Sequence, residues 1–339
     1  MPNTILSVEI ADIRGLFANI AGRMSPPNQR VYKVISLLLK AAILILSVWY
    51  IIYRLNGPEG IYLWEDLKKA NPFLLFISFL LLFVNWGLEA LKWMLLISPL
   101  ERTGFFTAYR SVLAGVTVSI FMPNRVGEFA GRIFFLEKAD KVEATLKNFV
   151  GSAAQLFMTV AIGIAGVVCI AENSGGYWKI WEVVDLRVVR TGSVILLLLV
   201  IILLLLNRFR PGFSPKTQSY FKAIFGIKRT DLAIVFTLSF LRYWVFLFQY
   251  VLVLRAFGVE GGFAALAAII AVTFLINSAI PSFALTEVVT RGAVMTSLFT
   301  LVTEPGAVIA ASLMLWIINL GIPALTGSIF IWKLKFFKT

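Results

Sequence analysis

Apolar positions in this chain come in runs rather than alternating with polar ones. The longest runs approach or exceed the roughly 20 residues that a helix needs to cross a bilayer. Six occur, at 32–53, 72–97, 149–171, 192–207, 232–254 and 307–332. Shorter apolar pieces lie between them, at 105–122 and 129–136, and again at 263–280 and 293–302. Each short pair is divided by a proline-led polar stretch, "PNRVGEFAGR" from Pro123 and "PSFALTEVVTRG" from Pro281. Proline stops a helix, and free backbone groups at membrane depth survive only inside protein or beside a wet cavity. The pattern therefore predicts an all-α polytopic membrane protein with six spanning helices and two re-entrant helical hairpins, 105–136 and 263–303. Counting each hairpin as a span gives eight.

Before the first run, "ILSVEIADIRGLFANI" spaces Ile5, Leu6, Ile13, Leu16, Phe17 and Ile20 near a helical period. Segment 1–30 is expected to be amphipathic and to lie on the membrane surface, or to cap the protein as a soluble helix.

Charge then gives orientation. The stretch from Arg208 to Arg229 carries six basic residues and no acid, and the chain ends in "KLKFFKT". Basic loops stay in the cytoplasm, so 208–229 and both termini are expected there, with the loop around Trp178 outside. The formal net charge of +13 then needs no nucleic acid to explain it. It fits basic loops facing anionic lipid headgroups.

With these assignments the chain divides into two repeats, 31–190 and 191–339, each reading span, span, hairpin, span. The first begins inside and the second outside. This is an inverted-topology repeat, a plan in which substrate sites form at the midplane where broken helices meet.

The two breaks carry the candidate chemistry. Glu128 and Arg132 stand four residues apart after Pro123, and Glu287 and Arg291 repeat the spacing after Pro281. Such pairs share one helical face, and ionisable groups at membrane depth are costly and usually functional. The second limb of each hairpin turns its positive dipole end toward the break, where anions are attracted. Arg132, Arg291 and Arg125 suit bidentate binding of a phosphate. Arg242, inside a span, and the face made by Asn85, Glu89 and Lys92 are expected to complete a polar cavity, with Pro123, Gly127 and Pro281 as the breaks. The same Glu-to-Arg spacing is also an ordinary way to stabilise a helix start.

Absences narrow the field. The chain has no histidine and one cysteine, Cys169, expected to serve packing. Histidine-based catalysis and metal sites are excluded, and no GxxxxGK[ST] loop marks nucleotide use. No cofactor, metal or catalytic group is expected.

"PNRVGEFAGRIFFL", through Pro123, Arg125, Gly127, Glu128 and Arg132, resembles the first signature of the lysylphosphatidylglycerol synthase transmembrane region, also called the flippase-like domain family. The second break keeps Pro281 and Glu287 but lacks the glycines of the family's second signature. Multidomain members add a soluble aminoacyl-transferase domain, for which no sequence follows the last span here. The resemblance implies the translocating part alone: a lipid flippase-like transporter moving a phospholipid or lipid-linked phosphate headgroup between leaflets of a prokaryotic cytoplasmic membrane. Its expected partners are an anionic or phosphate-bearing lipid and a lipid-modifying enzyme. Two other readings stay open, an intramembrane enzyme acting on a lipid phosphate and a non-transporting accessory subunit of a lipid-synthesis complex.

Overall fold

The computed structural model describes residues 66–120, 127–173, 223–279, 294–299 and 305–332, with Leu38, Ile45, Trp49, Ile52, Tyr53, Leu63, Trp64, Met122 and Tyr220 besides. Segment 1–30, the span 192–207, the loop at Trp178 and the break 280–293 lie outside the described residues, as does most of the span 32–53. Every element below belongs to one compact unit, Ile43–Leu334. It is all-helical among the described residues.

The main helices among the described residues, in chain order, are α1 (Pro72–Ile97), α2 (Phe105–Ser119), α3 (Gly127–Ile133), α4 (Lys141–Asn173), α5 (Arg229–Ala256), α6 (Phe263–Ala279), α7 (Pro305–Trp316) and α8 (Ile322–Trp332). A π-helical turn, Ile317–Gly321, joins the last two. Among the described residues, four helices are long and apolar enough to cross a membrane: Pro72–Ile97, Lys141–Ile170, Arg229–Ala256 and Gly306–Trp332. The protein is a polytopic integral membrane protein.

The faces invert the soluble pattern. Along α1, Phe73, Phe76, Leu80 and Phe83 are exposed, whereas Ser78, Asn85, Glu89 and Lys92 are buried. A bilayer solvates the outward aromatics, and the polar groups turn inward to find partners. Local chemistry sets the helix starts. Asn71 Oδ1 accepts the N–H groups of Phe73 and Leu74 at the head of α1, and Pro72 has no N–H to leave orphaned. Asp140 Oδ1 likewise accepts from Val142 and Glu143 at the head of α4. The helix thus begins at Lys141, eight residues before the expected start, and it buries Lys147 and Asn148. Cys169, expected to pack, is exposed.

The first hairpin is held by glycine. A Cβ on Gly115 would lie 2.8 Å from the Glu128 carbonyl oxygen, and one on Gly127 would lie 2.5 Å from that of Val118. One on Gly131 would run into the backbone of Gly115. These contacts pair 127 with 118 and 131 with 115, so α3 runs back antiparallel along α2. Both ends of the hairpin meet at one carboxylate, since Glu101 accepts the N–H groups of Glu137, Lys138 and Ala139 at 2.7–3.1 Å. The chain therefore enters and leaves this hairpin at the same end. Where the second hairpin is expected, α6 is described, and Thr273 Oγ1 lies 2.9 Å from Met295 Sδ.

Helix α1 lies against α5, antiparallel, with Asn71 N–H on the Ala256 carbonyl at one end and Arg242 on Asn85 farther along. Helix α2 packs on α8, and α6 packs on α4. Both crossings use glycine: Gly327 abuts Leu113 and Thr117 of α2, and Gly163 and Gly166 abut Ala271, Leu275 and Ala268 of α6. Small residues at helix crossings let backbones approach where lipid offers no hydrophobic drive.

Candidate functional site

Glu89 stands at the centre of a buried polar cluster drawn from four helices. Its Oε2 lies 2.7 Å from Lys92 Nζ on the next turn of α1 and 3.0 Å from Arg242 Nη1 of α5. Its Oε1 lies 2.9 Å from Arg132 Nη1 of α3. Arg132 also donates to Asn148 Oδ1 of α4 at 2.7 Å and to Glu128 Oε2 at 3.1 Å. The rings of Trp93 and Trp86, on the same face of α1, lie under the Arg132 and Arg242 guanidinia at 5.9 and 5.1 Å. Each guanidinium thus meets an anion and an aromatic face, which suits a weakly hydrated planar cation.

From Arg242 the network continues across the bundle. Arg242 Nε donates to Asn85 Oδ1 at 3.1 Å, and Asn85 Nδ2 donates to Asn319 Oδ1 at 3.0 Å. Asn319 Nδ2 donates to Gln249 Oε1, and Gln249 Nε2 donates to the Ser78 carbonyl. The π turn positions Asn319. Pro323 has no N–H for the carbonyl four residues back, which belongs to Asn319, and the helix widens across Ile317–Gly321.

Depth and burial decide what these charges are. About 20 Å of helix extends on either side of Arg242 within α5, and the same holds for Asn319 within Gly306–Trp332. The side chains of Lys92, Arg132 and Glu89 are 3%, 2% and 6% exposed, so water does not screen them. Glu128 at 19% and Arg242 at 18% are the accessible members. Three cations face two carboxylates among the described residues, a surplus of one positive charge. A buried cluster of that sign attracts an anion.

The structure thus brings together six of the sequence-derived residues: Asn85, Glu89, Lys92, Glu128, Arg132 and Arg242. Gly127, expected as a hairpin break, is the first residue of α3 and packs against Val118. Arg125, Pro123, Pro281, Glu287 and Arg291 lie outside the described residues. Sequence reasoning did not assign Asn148, Gln249 or Asn319 to the site. Gln249 and Asn319 were visible as isolated amides within apolar runs; Asn148 sat in a stretch whose neighbours are charged.

No curated protein and no solved structure matches this chain. One family model does, that of the lysylphosphatidylglycerol synthase TM region, and it matches residues 37–327. The match takes in every helix of the cluster and most of the chain: the protein belongs to the lysylphosphatidylglycerol synthase transmembrane-region family.

Proposed function

We propose that the protein is a flippase-like transporter that moves a phospholipid, or a lipid-linked phosphate headgroup, between leaflets, with the Glu89-centred cluster as its headgroup site. One observation carries the reading: Arg132 and Arg242, from a hairpin and a span, converge with Lys92 on a single buried carboxylate. Hydrocarbon makes a lipid phosphate very unfavourable at this depth, and permanently charged guanidinia offset that cost. The glutamates supply the counter-charge while no headgroup is bound. A purely structural network remains the competing account, because buried ion pairs are weak evidence of stabilisation and need another reason to be kept.

The reading includes repeats of opposite orientation, 31–190 and 191–339, supported by the antiparallel α1–α5 pair and by the α2–α8 and α6–α4 contacts. It takes Arg125, Glu287 and Arg291 with the breaks at Pro123 and Pro281 as further parts of the site, and Gly127 as the residue that starts its helix. It locates the protein in a prokaryotic cytoplasmic membrane with both termini in the cytoplasm. The partners proposed are an anionic or phosphate-bearing lipid and a lipid-modifying enzyme, and the protein needs no catalytic group of its own.

The test is lipid translocation in proteoliposomes, with rates normalised to folded protein. Arg132→Lys keeps the charge but loses the planar fork, and is expected to slow transport partially; Arg132→Ala and Arg242→Ala should nearly abolish it. Wild-type rates in both alanine variants would leave the arginines structural and remove the proposal.

A further inference from the structure

Resting on the reading of this cluster as the headgroup site, we propose that Glu89 is a resident counter-anion. It holds the position that a headgroup phosphate takes, and its charge weighs against headgroups whose phosphate carries two negative charges. The Glu89 carboxylate presents two anionic oxygens to three cationic groups from three helices, at 2.7, 2.9 and 3.0 Å. A phosphate oxygen pair needs the same donor set, with guanidinium on one side and ammonium on the other.

The connections show how the exchange proceeds without stranding a charge. Arg132 is shared between Glu89 and Glu128, and Arg242 between Glu89 and Asn85. Both arginines can turn to an incoming anion while Glu89 keeps Lys92, its nearest cation and its neighbour on the same helix. Lys92 is thus the fallback partner, and no carboxylate is left buried and unpaired, which would be strongly unfavourable. The Arg132 Nε–H, buried and without a hydrogen-bond partner among the described residues, leaves capacity for one further oxygen. The partly accessible side chains, Glu128 and Arg242, flank the buried ones and mark the sides from which a headgroup reaches them.

Charge sets the selectivity. In the same position, the Glu89 charge repels a phosphomonoester dianion more strongly than a phosphodiester monoanion, and burial leaves that repulsion unscreened. Glu89 is therefore a specificity-determining residue: removing its charge lifts that repulsion.

The experiment measures binding of phosphatidylglycerol and phosphatidic acid to purified protein in nanodiscs, at about pH 7.5 where the monoester is mostly dianionic. Glu89→Gln should bind both lipids more tightly and shift the ratio toward phosphatidic acid by roughly tenfold, the scale of one charge-assisted hydrogen bond. Glu89→Asp, which keeps the charge, should retain the wild-type ratio. If Glu89→Gln does not fold, Lys92→Gln gives the opposite sign, weakening phosphatidic acid more than phosphatidylglycerol. An unshifted ratio in whichever of these two variants folds overturns the inference. Binding of both lipids that the double variant Arg132→Ala, Arg242→Ala leaves intact would instead remove the headgroup site itself.

Discussion

The α2–α3 crossing offers a test in which two glycines are predicted to respond with opposite signs. A methyl at Gly115 would sit 2.8 Å from the Glu128 carbonyl oxygen, about 0.7 Å inside an ordinary contact of about 3.5 Å. Gly131 is more constrained, because its Cβ would meet the Gly115 backbone itself, which no rotamer change relieves. Gly131→Ala therefore carries an overpacking cost near the upper end of about 1–3 kcal/mol. Against this, alanine gains about 1 kcal/mol over glycine in helix propensity. The balance is a loss of about 2 kcal/mol. Gly87 is the control, a mid-helix glycine of α1 whose nearest neighbour to an added Cβ is Phe105 Cζ at 3.9 Å. There the propensity gain stands alone, and Gly87→Ala should be neutral or stabilising by up to about 1 kcal/mol. Thermal unfolding in detergent, followed by tryptophan fluorescence, reads both. A Gly131→Ala protein melting as high as Gly87→Ala would refute the close crossing, and with it the geometry that brings Arg132 to Glu89.

Two further outcomes are expected. Partial burial pushes the Glu101 carboxyl up, but the N–H groups of Lys138, Ala139 and Glu137 outweigh it and hold the group below its ordinary value of 4.5. Its contribution to stability is therefore present above that value and lost as pH falls through the lower folded one. Glu101→Gln should melt below wild type at neutral pH, with the gap closing as pH drops below about 4; a gap that stays constant would mean the carboxylate charge is not what clamps the hairpin. For topology, Ser214→Cys and Ser174→Cys in a Cys169→Ala background should label with impermeant thiol reagent from the cytoplasmic and external sides respectively. Labelling of position 214 from outside would reverse the orientation.

How much of this was legible in the sequence depends on the range of the interaction that decides each feature. Helices α1, α5 and α6 and the span ending at Trp332 fall within a few residues of the apolar runs, because bilayer thickness and local stop signals such as Asn71–Pro72 set them. The start of α4 was missed by eight residues because Asp140 caps a helix whose first turns carry charge, and hydropathy alone reads charge as loop. The face of Asn85, Glu89 and Lys92 was visible as an i, i+4, i+7 set, and Glu128 and Arg132 as an i, i+4 pair. Their rank was not. The repeated Glu-to-Arg spacing drew attention to Glu128, whereas the structure makes Glu89 the hub, since that depends on where α3 and α5 lie against α1.

That difference in rank bears on mechanism. A carboxylate one helical turn from its arginine, as Glu128 is, stays beside it whatever the rest of the protein does, so their pairing carries little information about conformation. Glu89 is different: its arginine partners belong to a hairpin and to the other half of the chain. Any relative movement of α3 or α5 against α1 must break at least one of those contacts, while the Glu89–Lys92 pair travels with α1 intact. Breaking a buried ion pair costs several kcal/mol unless a new partner arrives. A phosphate entering the cluster is such a partner for the freed guanidinium. Under the proposed transport function, the network opposes movement of an empty site and yields to a loaded one.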